Sequence, residues 1–232
     1  MNVPFNSTTS ASFGRLSEPM LKAIHEASLE ILERVGFRIN HDGILRKLSD
    51  AGFPVDLSAG TVRFPADKVE EAVRSAGKRY THYGRHLDKK AEFGASNTLF
   101  LCSGGQFAWI DPVTRERRSP TAEDLKTSLR VIDNLPDIDI AGAFVIPADV
   151  PTAERDLYLY AELFCATDKP VFTWIHTREA AEKVVRLAEI VAGGTAQLRR
   201  TPIVTAFVEP ISPLQFSKEA LDVLEVFAAN GL

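Results

Sequence analysis

The sequence predicts an α/β fold, because strand and helix patterns alternate through its second half. Three apolar segments of strand length, DIDIAGAFVIP, KPVFTWIH and PIVTAFVEP, are each followed by a helical pattern. These units recur about every 30 residues, which is the spacing expected of βαβ units. The strands are apolar on both faces, as parallel strands covered by helices should be. Thr152, Thr177 and Ser217 stand where the N-caps of the three helices are expected.

The three strand–helix units, which occupy residues 137–232, do not form a closed body. Right-handed crossovers would place the strands side by side and leave an open edge near Val208. A closed β/α barrel needs eight units and about 250 residues. The pattern therefore leaves two structures open: a small open α/β sheet, or the first three units of an incomplete (β/α)8 TIM barrel.

Residues 16–136 have a mixed pattern, which predicts an α+β region before these units. Ser17, Glu18 and Pro19 suit the start of a helix that Gly36 ends. Shorter helices are expected over about 44–51 and after Pro65, with a strand at TVRF between them. The polar segment 77–95 is interpreted as strand and loop. Residues 1–15, rich in Ser, Thr and Asn, are expected to be flexible.

Two local signals are stronger within this region. Asp111 and Pro112 predict a tight turn between two apolar runs. Thr121, with Asp124 three residues later, predicts a helix that opens with a capping box.

Composition excludes several classes of protein. A net charge of −4 over 232 residues argues against a nucleic-acid partner, which usually requires a basic surface. The two cysteines, Cys102 and Cys165, are too few for a disulfide framework and indicate a reducing cytoplasm. No apolar run approaches the roughly 20 residues of a membrane-spanning helix. The N-terminus has neither the basic start nor the apolar core of a signal peptide.

Sites in parallel α/β folds form at the carboxyl ends of the strands. This rule selects Trp174 and His176 after the second strand, and Glu209 and Ser212 after the third. Phe172 shares one strand face with Trp174, because side chains two residues apart point to the same side of a strand. Glu209 follows a buried strand, where a carboxylate must be paired, solvated or used. Each residue also has a structural interpretation: the aromatic residues as core, the histidine as a partner of a backbone carbonyl, and the serine as part of a turn.

Familiar catalytic motifs are missing. The sequence has no GxGxxG, GxxxxGK[ST], HExxH, CxxC or GxSxG pattern. His82 and His86 are four residues apart, but no third ligand lies nearby in the sequence. We therefore expect no metal site and assign no catalytic residue from motifs.

An ordered series of segments resembles one enzyme family. LSEPMLKAIHEASLEILERVGFRI resembles the opening helix of the corrinoid-dependent trimethylamine and quaternary-amine methyltransferases. LFLCSGGQFAWIDPVTRERRSPTAEDL, NLPDID, DKPVFTWIH, EIVAGG and EPISPLQF continue the resemblance in order. It implies a (β/α)8 barrel preceded by helices and β-structure, with this chain as its N-terminal portion and the EPISPL loop at the barrel mouth.

The resemblance also implies a reaction. In this family a methyl group moves from a methylated amine, such as trimethylamine or glycine betaine, to the cobalt of a separate corrinoid-binding protein. No cofactor would then be bound tightly by the enzyme, since the partner protein supplies the corrinoid (a cobalamin-type group). The full-length enzyme is expected to form a homo-oligomer. The position that holds pyrrolysine in trimethylamine-specific members lies outside this chain, so the resemblance does not separate the two substrate types.

Within this expectation, Trp174 and Phe172 would hold a trimethylammonium group by cation–π attraction. Glu209 would complement the positive charge, and His176 would hold a carboxylate if the substrate has one. Two alternatives remain. One is a different barrel enzyme, which acts on another substrate and also serves a corrinoid or tetrapyrrole system. The other is an inactive remnant or interaction fragment of a barrel enzyme.

Overall fold

The computed structural model describes residues 16–95 and 97–232, so the expected flexible segment 1–15 lies outside the described residues. Eight helices occur in these residues: α1 Glu18–Arg34, α2 Asp42–Asp50, α3 Ala66–Ser75, α4 Ala122–Asp133, α5 Thr152–Ala166, α6 Arg178–Ala192, α7 Thr195–Arg200 and α8 Lys218–Asn230. The strands are short: β1 Phe37–Ile39, β2 Val55–Asp56, β3 Thr61–Val62, β4 Tyr80–Tyr83, β5 Lys90–Phe93, β6 Trp109–Ile110, β7 Arg117–Arg118, β8 Ala141–Gly142, β9 Val171–Phe172 and β10 Gln215–Phe216.

The N-terminal region folds as a small mixed sheet with helices. Its strands lie in the order β10-β1-β3-β2, and only the β1–β10 pair is parallel. Strand β10 comes from near the end of the described chain, so this sheet joins both ends of the sequence. A second apolar core, formed by Ile39, Leu45, Val62 and Leu221, lies between the sheet, α2 and α8.

The second half contains a parallel layer covered by helices. Strands β8 and β9 pair in parallel, and a helix follows each of them, as the alternation predicts. The segment 101–106 also pairs in parallel with this layer, through isolated bridges from Leu101 to Ile140 and from Gln106 to Val145. The largest apolar core lies between these strands and helices α4, α5, α6 and α8. The fold class is therefore α/β, and the described residues form no closed barrel.

The prediction of a third strand at PIVTAFVEP is wrong. Residues 202–210 form no strand, although the helix α8 that should follow is present after β10. Side-chain packing explains the apolar pattern, since Ile203 and Val204 are buried in the large core without a ladder of backbone hydrogen bonds. A further short helix, α7, lies between α6 and this segment.

Helix starts were predicted more accurately. Thr121 and Asp124 form a complete capping box on α4, while Thr177 and Ser217 accept capping hydrogen bonds at α6 and α8. Thr152 is a correction: it is the first helical residue of α5, and the N-cap is Pro151, whose fixed φ suits that position. Ser17 occupies the N-cap of α1 without a side-chain capping bond.

The remaining predicted β-structure consists of two hairpins. Strands β4 and β5 pair antiparallel within the segment 77–95. The Asp111 turn joins β6 to β7, with the Asp111 carboxylate accepting hydrogen bonds from the backbone N–H groups of Val113 and Thr114. The β4 backbone meets the start of the 202–210 segment, where the N–H of Tyr83 donates to the carbonyl of Pro202 at 2.8 Å. None of the helices in residues 16–95 and 97–232 combines the length and apolarity needed to cross a membrane.

Candidate functional site

Three aromatic rings meet where β9 ends. The ring of Phe207 lies 5.2 Å from that of Phe172 and 5.0 Å from that of Trp174, between centroids, and both pairs are nearly perpendicular. Phe172 and Trp174 are themselves 5.9 Å apart at 63°. Phe172 is buried, Trp174 is partly buried, and Phe207 is 45% exposed, so the cluster opens toward solvent on one side. We call these three residues the aromatic cluster.

The segment 101–106 packs against the aromatic cluster. The hydroxyl of Thr173 donates to the carbonyl of Gly104 at 2.7 Å. The carbonyl of Thr173 in turn accepts a hydrogen bond from the buried Tyr160 hydroxyl of α5. A Cβ atom at Gly104 would stand 2.6 Å from Phe172 Cε1 and 2.9 Å from Trp174 Nε1. The rings therefore lie directly against the glycine backbone, which explains why this position has no side chain.

His176 is oriented by a buried aspartate. Asp156 of α5 accepts a hydrogen bond from the His176 backbone N–H at 2.7 Å, and its other oxygen lies 2.9 Å from His176 Nδ1. Because an ionised carboxylate only accepts, Nδ1 carries the proton and Nε2 is left on the outer side of the ring. The hydrogen bond that His176 donates to Asp156 raises the pKa of His176 above its ordinary value, and this effect outweighs the lowering by burial.

A cavity of about 560 Å³ adjoins His176, between the N-terminal ends of α5 and α6. Its charged and titratable lining residues are Arg155, Asp156 and His176. Apolar residues, among them Phe107 and Ile146, form much of the remaining wall. The cavity thus combines an apolar surface with a small number of polar groups, as ligand sites commonly do.

The other two sequence-predicted residues lie apart from these groups. Glu209 and Ser212 are exposed and make no hydrogen bond within the described residues. Glu209 follows Phe207 by two residues, so it stays near the open side of the aromatic cluster along the chain. Solvation alone accounts for its carboxylate, since this part of the chain is not a buried strand end.

A second cluster of polar groups has a structural explanation. His41, Asp222 and Glu225 place three possible metal-ligand atoms within 4.8 Å of one another. Arg178 and Lys218 already bond to Asp222, at 3.0 and 2.5 Å, and Lys47 bonds to Glu225 at 2.5 Å. Three cations therefore match the carboxylates, and the group is an ion-pair network between α2, α6 and α8.

Comparison with known proteins places the site in context. The family model described as trimethylamine methyltransferase (MTTB) matches residues 1–232, the whole chain. The chain belongs to the trimethylamine methyltransferase family. A trimethylamine methyltransferase of Desulfitobacterium hafniense is 31% identical over 93% of this chain, and a glycine betaine methyltransferase of the same species is 24% identical over 93%. A trimethylamine methyltransferase of Methanosarcina thermophila is 24% identical over 98%.

The match covers only part of each relative. The alignments span 44%, 45% and 48% of those three proteins, so this chain spans about half the length of the curated family members that it matches. The two strand–helix units of this family member contain Phe172, Trp174 and the His176–Asp156 pair, and the segment 202–210 adds Phe207 to the aromatic cluster.

Three residues of this site in the methyltransferase family member were not predicted from the sequence. Phe207 was not selected, although its alternation with Glu209 in the third apolar segment was a usable signal. Asp156 and Arg155 lie in the first turns of α5, at a helix start beside a strand end. The burial of Asp156 depends on the packing of α5 against the segment 173–176, which the sequence pattern does not reveal.

Proposed function

We propose that this chain forms part of an enzyme that removes a methyl group from a methylated amine, either trimethylamine or a quaternary amine such as glycine betaine. The methyl group is passed to the cobalt of a corrinoid carried by a separate protein in the cytoplasm. Family membership supports the methyltransferase activity, because matched relatives are named for these two amines. The observation that carries the proposal is the aromatic cluster, which suits a methylated ammonium group.

The aromatic cluster fits a trimethylammonium group for electrostatic reasons. Each aromatic face presents negative potential, and a desolvated cation over such a face gains about 1–2 kcal/mol per good contact. Phe172, Trp174 and Phe207 present faces in different directions within 6 Å of one another. Because the rings pack edge against face, a cation would lie at the open side of the cluster, against the exposed parts of Trp174 and Phe207, and not between the rings.

The residues of this chain would contribute mainly by positioning. In the proposed step the C–N bond of a quaternary or protonated amine would break, its electron pair would stay on nitrogen so that a neutral amine leaves, and the methyl group would pass to the reduced cobalt of the partner protein's corrinoid. The aromatic cluster would hold the nitrogen, exclude water and leave one methyl group directed toward the open side. Alignment of this kind supplies much of the rate enhancement when little acid–base chemistry is required. Glu209, near that open side, would attract the cation as it enters.

We further propose that the parallel layer is part of a (β/α)8 barrel in the family. The parallel pairing of β8 with β9, and the helix after each strand, support this arrangement. The placement of the aromatic cluster after β9 also supports it, since barrel enzymes bind substrates at the carboxyl ends of their strands. A crystal structure of the full-length Desulfitobacterium trimethylamine methyltransferase tests this arrangement. The strands of that enzyme that align with β8 and β9 should be consecutive strands of its barrel.

Binding experiments test the role of the aromatic cluster. Choline and its uncharged isostere 3,3-dimethylbutan-1-ol are titrated into the chain by calorimetry. We expect choline to bind about 5- to 30-fold more tightly, because only choline gains the cation–π energy. Trp174→Leu and Phe207→Leu should each reduce this difference, while the exposed Phe100→Leu should leave it unchanged. Equal binding of choline and the isostere by the native chain would contradict the proposal.

A turnover experiment separates the enzyme from the inactive-remnant alternative. The chain is mixed with reduced cobalamin and a panel of methylated amines, and methylcobalamin is followed by its absorbance. The full-length Desulfitobacterium trimethylamine methyltransferase serves as the positive control. Methyl transfer by the chain would exclude the remnant. If the relative reacts and the chain does not, the chain alone is inactive and methyl transfer requires the remainder of the enzyme.

A further inference from the structure

Beside the aromatic cluster lies a second set of groups with a different charge preference. Arg155 and His176 line the same cavity, and the N-terminal residues Thr152 and Thr177 of α5 and α6 line it with them. Helix N-termini carry partial positive charge, and both helices are long enough to contribute it. Asp156 also lines the cavity, but both of its oxygens are bonded to His176. Arg155 and the two helix ends therefore give the cavity a preference for an anion, whereas the aromatic cluster favours a cation.

Arg155 has hydrogen-bonding capacity that the protein does not use. One guanidinium nitrogen, Nη2, donates to the carbonyl of Val150 at 3.0 Å. Its Nε is buried and has no hydrogen-bond partner within the described residues. The remaining Nη1 makes no hydrogen bond to the described residues either. A positively charged group with unused donors in a partly apolar cavity is costly unless an acceptor binds there.

When its ring is protonated, His176 supplies a second donor with a fixed direction. Asp156 occupies Nδ1, so Nε2 is the ring atom available to a ligand. His176 follows Trp174 by two residues, a rise of about 7 Å in an extended chain. The cation-binding and anion-binding groups are thus close together along the chain.

We propose that the Arg155–His176 cavity binds the carboxylate of a zwitterionic trimethylammonium substrate, that is, a betaine. This inference rests on the proposed function, because it assumes that the aromatic cluster holds the ammonium end. It selects the substrate class: a carboxylate-bearing quaternary amine is bound in preference to trimethylamine or to quaternary amines without an acid group.

The test compares ligands that differ only in the acid group. Glycine betaine, choline and tetramethylammonium are titrated into the native chain by calorimetry. We expect glycine betaine to bind about 10- to 100-fold more tightly than choline, as charge-assisted hydrogen bonds to the carboxylate require. Equal affinity for glycine betaine and choline would overturn the carboxylate site while leaving the proposed function intact. Failure of every trimethylammonium compound to bind would overturn the proposed function itself.

Variants identify which groups are responsible. Arg155→Met keeps the aliphatic stem and removes the charge, and His176→Asn keeps a donor toward Asp156 but removes Nε2. Each should weaken glycine betaine binding by about 10-fold or more and leave tetramethylammonium binding unchanged. Arg186→Met, on the exposed face of α6, is the matched control. Equal loss of both ligands in Arg155→Met and His176→Asn would mean that the residues only maintain the fold.

The pH profile supplies a readout that a purely structural role would not change. His176 attracts a carboxylate when it is protonated, so glycine betaine affinity should be constant at low pH and fall as the pH rises through the His176 pKa. Arg155 and Asp156 are the other charged groups that line the cavity. The decrease should disappear in His176→Asn. A profile that is the same in the native chain and in His176→Asn would contradict the assignment of His176.

Discussion

Gly104 decides how closely the 101–106 segment approaches the aromatic cluster. Adding a Cβ would bring it within 3 Å of both Phe172 and Trp174, so one of the rings must move. Because Trp174 is the more exposed of the two rings, we expect it to yield. Gly104→Ala should therefore weaken choline binding by about 10-fold with a smaller effect on folding. Calorimetry and thermal unfolding measure the two effects.

Gly77 provides the matched control for Gly104. A Cβ at Gly77 would meet no atom within 4 Å, so Gly77→Ala should change neither choline binding nor the folded structure. If Gly104→Ala binds choline as tightly as the native chain does, the ring positions are not set by this contact.

His82 is a buried titratable residue away from the site. It is 2% exposed, and burial lowers its pKa to about 4, while a hydrogen bond to the Ile203 backbone acts in the opposite direction. Its Nε2 has no hydrogen-bond partner within the described residues. The folded protein thus keeps His82 neutral at pH values where the unfolded chain protonates it.

The sign of the pH effect follows from this lowered pKa. Between the unfolded value near 6.5 and the folded value near 4, the unfolded state binds more protons, so stability falls as the pH falls. From pH 7 to pH 4 His82 should cost about 3 kcal/mol of unfolding free energy. Urea unfolding of His82→Leu should lack this component, whereas the exposed His86→Gln should retain it. If the unfolding free energy of His82→Leu decreased with falling pH as much as that of the native chain, His82 would not be the source of the pH effect.

At the scale of elements, the parallel layer depends on close contact between segment 101–106 and β8. A Cβ at Gly142 would lie 1.9 Å from the Ser103 carbonyl oxygen and 2.9 Å from that of Cys102. These are backbone atoms, which cannot rotate away as side chains can. Gly142→Ala should destabilise the chain by about 1–3 kcal/mol, the range for an overpacked core. Chemical unfolding measures the loss, and an unchanged free energy of unfolding would show that the segment adjusts freely.

The helices and strands differ in how well the sequence predicts them. Helix starts were predictable because their signals are local: Thr121, Thr177 and Ser217 bond to backbone within three residues. The third strand failed because an apolar pattern reports burial and not hydrogen-bond pairing. Ile203 is buried like a strand residue without a ladder partner. Phe172 and Trp174 were found from their position at the end of a predicted strand, but Asp156 and Phe207 required the packing of distant segments.

At the scale of the whole molecule, the N-terminal sheet and the parallel layer have separate apolar cores. Helix α8 borders both cores. The pairing of β1 with β10 and the ion-pair network of His41, Asp222, Glu225 and their cations also connect them. Asp222 is 5% exposed. Burial would raise its pKa, but hydrogen bonds from Lys218 and Arg178 outweigh burial and lower it. The charged form of Asp222 therefore contributes to joining the two parts.

Asp222→Ala should loosen the connection without melting the larger core. The variant leaves Arg178 and His41 without their shared acceptor, at a cost of about 1.5–3 kcal/mol for hydrogen bonds to a charged group. Hydrogen exchange of amides in β1 and β3 should accelerate about 10- to 100-fold, while amides in the middle of α5 keep their protection. Glu179→Ala, which breaks an exposed pair with Lys183, is the control and should change neither. If α5 loses protection together with β1 in Asp222→Ala, the two cores unfold as one cooperative unit and the network is not the element that joins them.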